Sequence, residues 1–272
     1  MNILTDTYTL NTGTTIPKIG FGTWQIPNGD AAYNATLLAL KSGYRHIDTA
    51  RVYGNEESVG KAIRDSGIDR EEIFITTKLP AEIKTYQAAL DSFEISIKAL
   101  GVEYVDLYII HAPWPWSDIG GDYAEGNVQA WKALEEIYKS GRSKAVGVSN
   151  FTANDLQVLL DSGSVVPAVN QIKFFIGHTD EDTTTFSQNH GILVEAYSPL
   201  ATGRILNDPE VRKLAAKYNK TVAQICIGFT LQRGTVSLPK STHEEYIVEN
   251  ADVDFEIDET DMAFLNTLKD IA

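Results

Sequence analysis

Asp48 and Tyr53 lie close together in RHIDTARVYGNEESVG, and Lys78 and His111 end the β-like runs IFITTK and VDLYIIH. A carboxylate, a phenol, an ammonium group and an imidazole brought to one place can serve acid–base chemistry. Asp48 and Lys78 can pair as ions. A lysine beside the Tyr53 hydroxyl favours phenolate, so it is expected to lower a pKa that starts near ~10. Tyr53 would then be a proton donor usable near neutral pH. His111 can donate a hydrogen bond to a substrate oxygen and hold a carbonyl toward Tyr53. The set suits conversion of a carbonyl to an alcohol. None of the four carries a hydride, so a cofactor is required. Taken singly, each has a plain structural use. Asp48 can cap a turn, Tyr53 can be a half-buried aromatic, and Lys78 can be solvated at a strand end. His111 shares strand parity with Leu107 and Ile109 and can be a core histidine. Chemistry is favoured only by their joint placement at successive strand ends.

The elements that must position them alternate along the chain. YTLNTGTTIPKIGFGTW opens with two short runs about Asn11-Thr12-Gly13, a hairpin pattern. Eight β-like runs follow: IGFGTW, RHIDTA, IFITTK, VDLYIIH, KAVGVSN, PAVNQIKF, ILVEAYSP and TVSLPKS. Segments of helical periodicity follow nearly all of them. In TYQAALDSFEISIKALG, Leu90, Phe93, Ile97 and Leu100 form one stripe, and EESVGKAIRDSG places Val59, Ala62 and Ile63 likewise. Strict alternation of β and α predicts parallel strands with right-handed crossovers. Eight such units predict a (β/α)8 TIM barrel with an N-terminal β-hairpin and extra helices, with an open doubly wound sheet as the alternative. No linker divides residues 1–272, so a single domain is expected. In such a barrel the site lies where the strands give out. Those positions are Gly22-Thr23-Trp24, Asp48, Lys78, His111, Ser149-Asn150, Gln171, Tyr197-Ser198 and Lys240-Ser241.

The chain of 272 residues carries a net charge of −14. Such a surface repels phosphate backbones, so nucleic acid is not an expected partner. Cys226 is the only cysteine, which allows no internal disulfide and suits a reducing cytosol. The N-terminus has no basic start before an apolar run, and no stretch approaches the ~20 apolar residues of a membrane span. A cytoplasmic protein without membrane contact is expected.

GFGTW, HIDTARVYGNEESVG, ITTKL, DLYIIHAP, VGVSNF, EAYSPL and LPKS…IVEN stand in the order found in aldo-keto reductases. From about Tyr8 to the last helix the chain resembles that family. The resemblance implies a catalytic tetrad of Asp48, Tyr53, Lys78 and His111, with the tyrosine as proton donor. It implies hydride from a nicotinamide dinucleotide, usually NADPH. Ser149, Asn150 and Gln171 would hold the carboxamide and Tyr197 would stack on the nicotinamide. Ser198, Pro199 and Leu200 would follow the pyrophosphate. Lys240 and Ser241 would meet the 2′-phosphate, with Tyr246, Glu249 and Asn250 near adenine. Thr23 and Trp24 would flank the cofactor, with Asp48 beside it. Trp24, Tyr53, His111 and Trp114 are the implied substrate contacts. No metal is implied, and a monomer is the family default.

Three departures qualify these expectations. Tyr246 stands where many members have an arginine for the 2′-phosphate, which weakens NADPH preference and makes NADH use an expectation to test. Ala112 stands where a tryptophan often follows the histidine, which widens the pocket unless Trp114 or Trp116 turns inward. The short segment after the last helix predicts an open site. HAPWPW resembles bacterial members acting on small dicarbonyls, keto sugars and aldehydes. GFGTWQ only imitates a dinucleotide fingerprint, because Gln25 fills the last glycine position and no helix is expected there. Two rivals are a cofactor-binding regulatory subunit with little turnover and a metal-assisted barrel hydrolase. His46 and Asp48 could join His111 in the latter, although His46 reads better as a core histidine.

Overall fold

The computed structural model describes residues 3–269. Strands β1 (Thr7–Thr9) and β2 (Thr15–Pro17) form the antiparallel hairpin, with Tyr8 opposite Ile16. Eight parallel strands then form one sheet in chain order. They are β3 (Phe21–Gly22), β4 (His46–Asp48), β5 (Phe74–Leu79), β6 (Val105–Ile110), β7 (Ser143–Ser149), β8 (Val169–Lys173), β9 (Leu193–Tyr197) and β10 (Val236–Leu238). The last strand returns to the first. Ile19 bridges Ser237, and Gly20 and Gly22 donate to the carbonyls of Ser237 and Pro239 at 2.9 and 3.0 Å. That seam makes the sheet a barrel and excludes the open alternative. At the seam a Cβ on Gly20 would lie 2.6 Å from His46 Nδ1 and 2.7 Å from Leu238 Cδ2, so a side chain there would have to displace both.

Helices cover the outside: α1 (Asp30–Lys41), α2 (Glu56–Asp65), α3 (Tyr86–Leu100), α4 (Ala124–Lys139), α5 (Ala153–Ser162) and α6 (Glu181–Asn189). Then come α7 (Pro209–Tyr218), α8 (Val222–Gln232), α9 (Glu244–Ala251) and α10 (Glu259–Thr267). Every residue of β5 and β6 is buried, as expected for parallel strands packed on both faces. Alternation divides the core. Tyr108, Ile110, Val146 and Val148 pack with the helical layer, including Phe93 and Ile97 of α3. Leu107, Ile109, Ala145 and Val169 pack instead with Leu10 and Ile16 of the hairpin, which closes the barrel at the strands' starting ends. The opposite end is left for the site.

Candidate active site

The barrel's stagger sets the polar ring. Asp48 pairs with Thr76 on β5, and Lys78 lies two residues further on the same face. Lys78 pairs with Ile109 on β6, and His111 again lies two residues beyond. Ile109 pairs with Gly147 on β7, two residues before Ser149, and Ser149 pairs with Gln171. Gln171 in turn faces Glu195 on β9. Side chains with a period of two thus point into the barrel mouth from each strand, stepping along the axis as shear requires.

At the floor, Lys78 Nζ donates to both oxygens of Asp48 at 2.7 Å and to the Thr49 carbonyl at 2.8 Å. Gln171 Nε2 reaches across the barrel to Asp48 Oδ2 and also to Glu195 Oε2, each at 2.9 Å. Lys78, Asp48, Gln171 and Glu195 are all buried. Burial pulls the Lys78 pKa down, but Asp48, Tyr53 and Glu195 outweigh it and leave it above the ordinary lysine value. Glu195 behaves oppositely. Burial, then the Asp48 charge, push its carboxyl up to about 8, so it is mainly protonated at neutral pH. The neighbouring His46 is neutral, lowered to about 3 by burial and then by Lys78, and its Nε2 lies 3.0 Å from Thr76 Oγ1. It is a core histidine.

Tyr53 ends a short 3-10 turn (Arg51–Tyr53) that is set by the loop behind it. Asn55 binds the Thr49 hydroxyl and donates to the carbonyls of Thr23 and Ile26. Thr23 Oγ1 donates to the Asp48 carbonyl at 2.9 Å. The Tyr53 ring lies edge-on to His111, with centroids 5.6 Å apart, and Lys78 Nζ is 5.0 Å from its centre. The expected net lowering of the Tyr53 pKa is not found. Burial raises it, Asp48 adds to this, and Lys78 offsets only part. The phenol therefore holds its proton at neutral pH, while Lys78 reduces the cost of the phenolate. His111 is neutral, lowered to about 3 by burial and then by Lys78, so its ring can donate a hydrogen bond without carrying charge.

Above this floor runs a cavity of about 1090 Å³. Asp48, Tyr53 and His111 line it; Lys78 lies beneath. Trp24 lines it too, whereas Thr23 is wholly buried under Asp48 and does not. That corrects the expectation that Thr23 flanks the pocket. Ser149, Asn150, Gln171 and Tyr197 form the middle of the wall. The Asn150 amide donates to the His111 carbonyl and to Ser149 Oγ, both at 3.0 Å, and accepts from the Tyr197 hydroxyl at 2.8 Å. Ser198, Pro199 and Leu200 continue the wall, with Lys240, Ser241, Tyr246, Glu249 and Asn250 beyond them. Trp114 is the second correction. Trp116 lines the cavity instead, standing at 89° to His111 with centroids 5.5 Å apart, and Trp114 supports it at 5.1 Å.

Some lining residues are absent from the sequence expectations: Gln25, Val52, Thr202, Leu206 and Arg212 among them. Ser198, Ala201 and Thr202 all have left-handed φ angles, near 50°, in the segment after β9. Backbone strain of this kind collects where a ligand must be approached closely. Glu195 was also unforeseen, although a carboxylate two residues before Tyr197 in an otherwise buried strand is a readable sign. Among the described residues no three His, Cys, Asp or Glu side chains gather as a metal site.

The wall fits an extended dinucleotide. Gln171 has its amide N–H groups engaged and its carbonyl left to accept, which suits a carboxamide. Tyr197 offers a ring, and Lys240 and Arg212 offer cations for phosphates. Residues 18–270 match the model of the aldo/keto reductase family. The chain is similar to a glyoxal reductase of Bacillus subtilis (strain 168), 41% identical over 97% of this chain and 93% of the relative. It is 40% identical to an aldehyde reductase of Saccharomyces cerevisiae, over 97% and 91% of the two chains. An aldo/keto reductase structure from Brucella melitensis superposes with a TM-score of 0.91 at 42% identity, covering 97% of this chain and 99% of that one. A Bombyx mori aldo-keto reductase in complex with NADP gives 0.88 at 33% identity, over 98% and 94%. With matches over nearly its whole length and a barrel mouth built for carbonyl chemistry, the chain belongs to the aldo/keto reductase family and is an NAD(P)H-dependent oxidoreductase acting on carbonyls.

Proposed function

We propose that this protein reduces small uncharged aldehydes and ketones, dicarbonyls and keto sugars among them, to alcohols. The observation that carries the reading is the Tyr53–His111 pair at the mouth, set over the buried Asp48–Lys78 ion pair. A bound reduced nicotinamide supplies the hydride. His111, neutral, donates to the carbonyl oxygen and turns it toward Tyr53. Tyr53 gives up its proton as negative charge develops on that oxygen, and Lys78 stabilises the phenolate left behind. Asp48 holds Lys78 charged and in place. Ser149, Asn150 and Gln171 would hold the cofactor's carboxamide, and Tyr197 would offer its ring to the nicotinamide. Trp24, Val52 and Trp116 make the substrate end apolar, with 46%, 47% and 41% of their surface exposed. No cation lines that end among the described residues, which favours uncharged carbonyl compounds over keto acids.

NADPH is the proposed cofactor, with NADH also accepted. Lys240 lines the wall without an ion pair among the described residues, but Tyr246 brings no charge. A cytoplasmic monomer of one domain is proposed. Among the described residues no helix is long and apolar enough to cross a membrane. The test is cofactor oxidation with methylglyoxal, NADPH and NADH in parallel, for the wild type and Tyr53→Phe. The substitution should cut kcat roughly 10²–10⁴-fold with cofactor affinity unchanged. Equal loss of turnover and cofactor affinity would make Tyr53 structural. Tight NADPH binding by the wild type without turnover of any carbonyl compound would point to a regulatory subunit.

A further inference from the structure

The backbone that follows His111 is held at each of its first carbonyls. His111 O accepts from Asn150 Nδ2 at 3.0 Å, Ala112 O from Lys84 Nζ at 2.9 Å, and Pro113 O from Asn127 Nδ2 at 2.8 Å. Lys84 Nζ also donates to Asn127 Oδ1 at 2.7 Å, so the last two contacts are one unit. Lys84 comes from the segment between β5 and α3, and Asn127 from the first turn of α4. The two sides are pressed together: a Cβ on Gly126 would lie 2.7 Å from Lys84 Cβ. Ala112 and Asn127 are buried, and burial lowers the Lys84 pKa to about 8 although Glu82 and Asp155 oppose it. A half-buried ammonium group spent on two neutral acceptors is costly unless it secures something.

What it secures is the loop carrying Trp116. Pro113 and Pro115 restrict the backbone between the clamp and that ring. Trp116 N further points to Glu82 Oε1 at 3.4 Å, two residues before Lys84. We infer that Lys84 and Asn127 form a positioning pair that fixes the HAPWPW loop, sets Trp116 as a wall of the carbonyl pocket, and so determines which substrates are preferred. The inference rests on the carbonyl-reductase reading. Lys84 and Asn127 bind backbone carbonyls and each other, and reach the tetrad only through Trp116, whose ring stands against His111.

The experiment compares kcat and KM for methylglyoxal and for benzaldehyde in the wild type, Lys84→Met, Asn127→Leu, Trp116→Ala and the combinations. Both aldehydes need the tetrad, but methylglyoxal is short and has no ring to lay against Trp116, whereas the ring of benzaldehyde would pack on that wall. Lys84→Met should raise KM for benzaldehyde about fivefold, the scale of one lost aromatic contact, while kcat and the methylglyoxal KM change much less. The Lys84→Met/Asn127→Leu variant should be no worse than the worse single variant, because the pair acts as a unit. In the Trp116→Ala background, Lys84→Met should leave the benzaldehyde-to-methylglyoxal ratio unmoved. Lys84→Arg, which keeps a donor, should recover part of the ratio. Equal effects on both aldehydes, additive effects of the pair, or a full Lys84→Met effect without Trp116 would each overturn the inference. A second readout needs no turnover: the fluorescence difference between parent and Trp116→Phe, measured with and without Lys84→Met. An unchanged difference spectrum overturns the clamp. A wild type that reduces neither aldehyde overturns the proposed small-aldehyde substrate class instead, and leaves this spectrum to decide the clamp.

Discussion

At the scale of the residue, the chemistry rests on opposed effects at single groups. Tyr53 is raised by burial and held back by Lys78. His111 is lowered to about 3 and stays neutral. The proposed proton donor and carbonyl orienter thus both keep, across neutral pH, the form that their proposed roles require. Cofactor choice is proposed to turn on one side chain. Tyr246 is half exposed and lies edge-on to His243, with centroids 5.6 Å apart, on the wall shared with Lys240 and Ser241. A charge-assisted hydrogen bond to a phosphate is worth more than a neutral one. Tyr246→Arg is therefore expected to raise the kcat/KM ratio of NADPH over NADH roughly tenfold, mostly through KM. An unchanged ratio would mean that the 2′-phosphate lies out of reach of this position.

At the scale of the element, strand ends carry the chemistry and helix starts hold the loops between them. Helix α5 follows Ser149 and Asn150, and its first turn is a capping box. Thr152 Oγ1 accepts from Asp155 N at 3.3 Å, while Asp155 Oδ2 accepts from Thr152 N at 2.9 Å. Asn150 is secured separately, by its N–H on the Gln171 carbonyl at 3.0 Å and by its amide on His111 and Tyr197. Thr152→Ala should cost about 1 kcal/mol in chemical denaturation and leave kcat within about twofold, a change too small to signal lost chemistry. A large fall in kcat would show that the cap, and not the amide network, positions Asn150.

At the scale of the whole molecule, the barrel encloses a titrating cluster that spans its width. Gln171 joins Asp48 on β4 to Glu195 on β9. Glu195 has a folded pKa of about 8 against an ordinary value of 4.5. A group raised on folding adds stability that is fully present below its unfolded pKa and is lost as pH rises through its folded one. Between those values the folded state holds the extra proton, so stability falls by at most roughly 1.4 kcal/mol per pH unit. Glu195→Gln keeps an acceptor for Gln171 and removes the titration. The Tm of this variant minus that of the wild type should therefore increase from pH 5 to pH 8. A difference that stays flat would mean that Glu195 is ionised in the folded barrel.

Much of the architecture is determined locally. Apolar β-branched runs alternating with helical stripes can bury both faces of their strands only as a helix-covered parallel sheet, and the polar residue at each run's end is legible from the same pattern. That made Asp48, Lys78, His111, Ser149, Gln171, Tyr197 and Lys240 readable as strand-end positions, with Tyr53 in the loop after Asp48, whereas Pro199, Leu200, Tyr246, Glu249 and Asn250 came only from the family resemblance. Tertiary structure alone decided the rest. Whether the strands close depended on Gly20 and Gly22 meeting the carbonyls of Ser237 and Pro239, more than 200 residues away in the chain. The net shift at Tyr53 depended on how far the fold removes it from water, which no motif states. Thr23 turned beneath Asp48, and Trp116 took the place expected of Trp114. Strand ends follow from short-range periodicity, whereas burial, loop course and the partners of a side chain come from contacts between segments far apart in the chain.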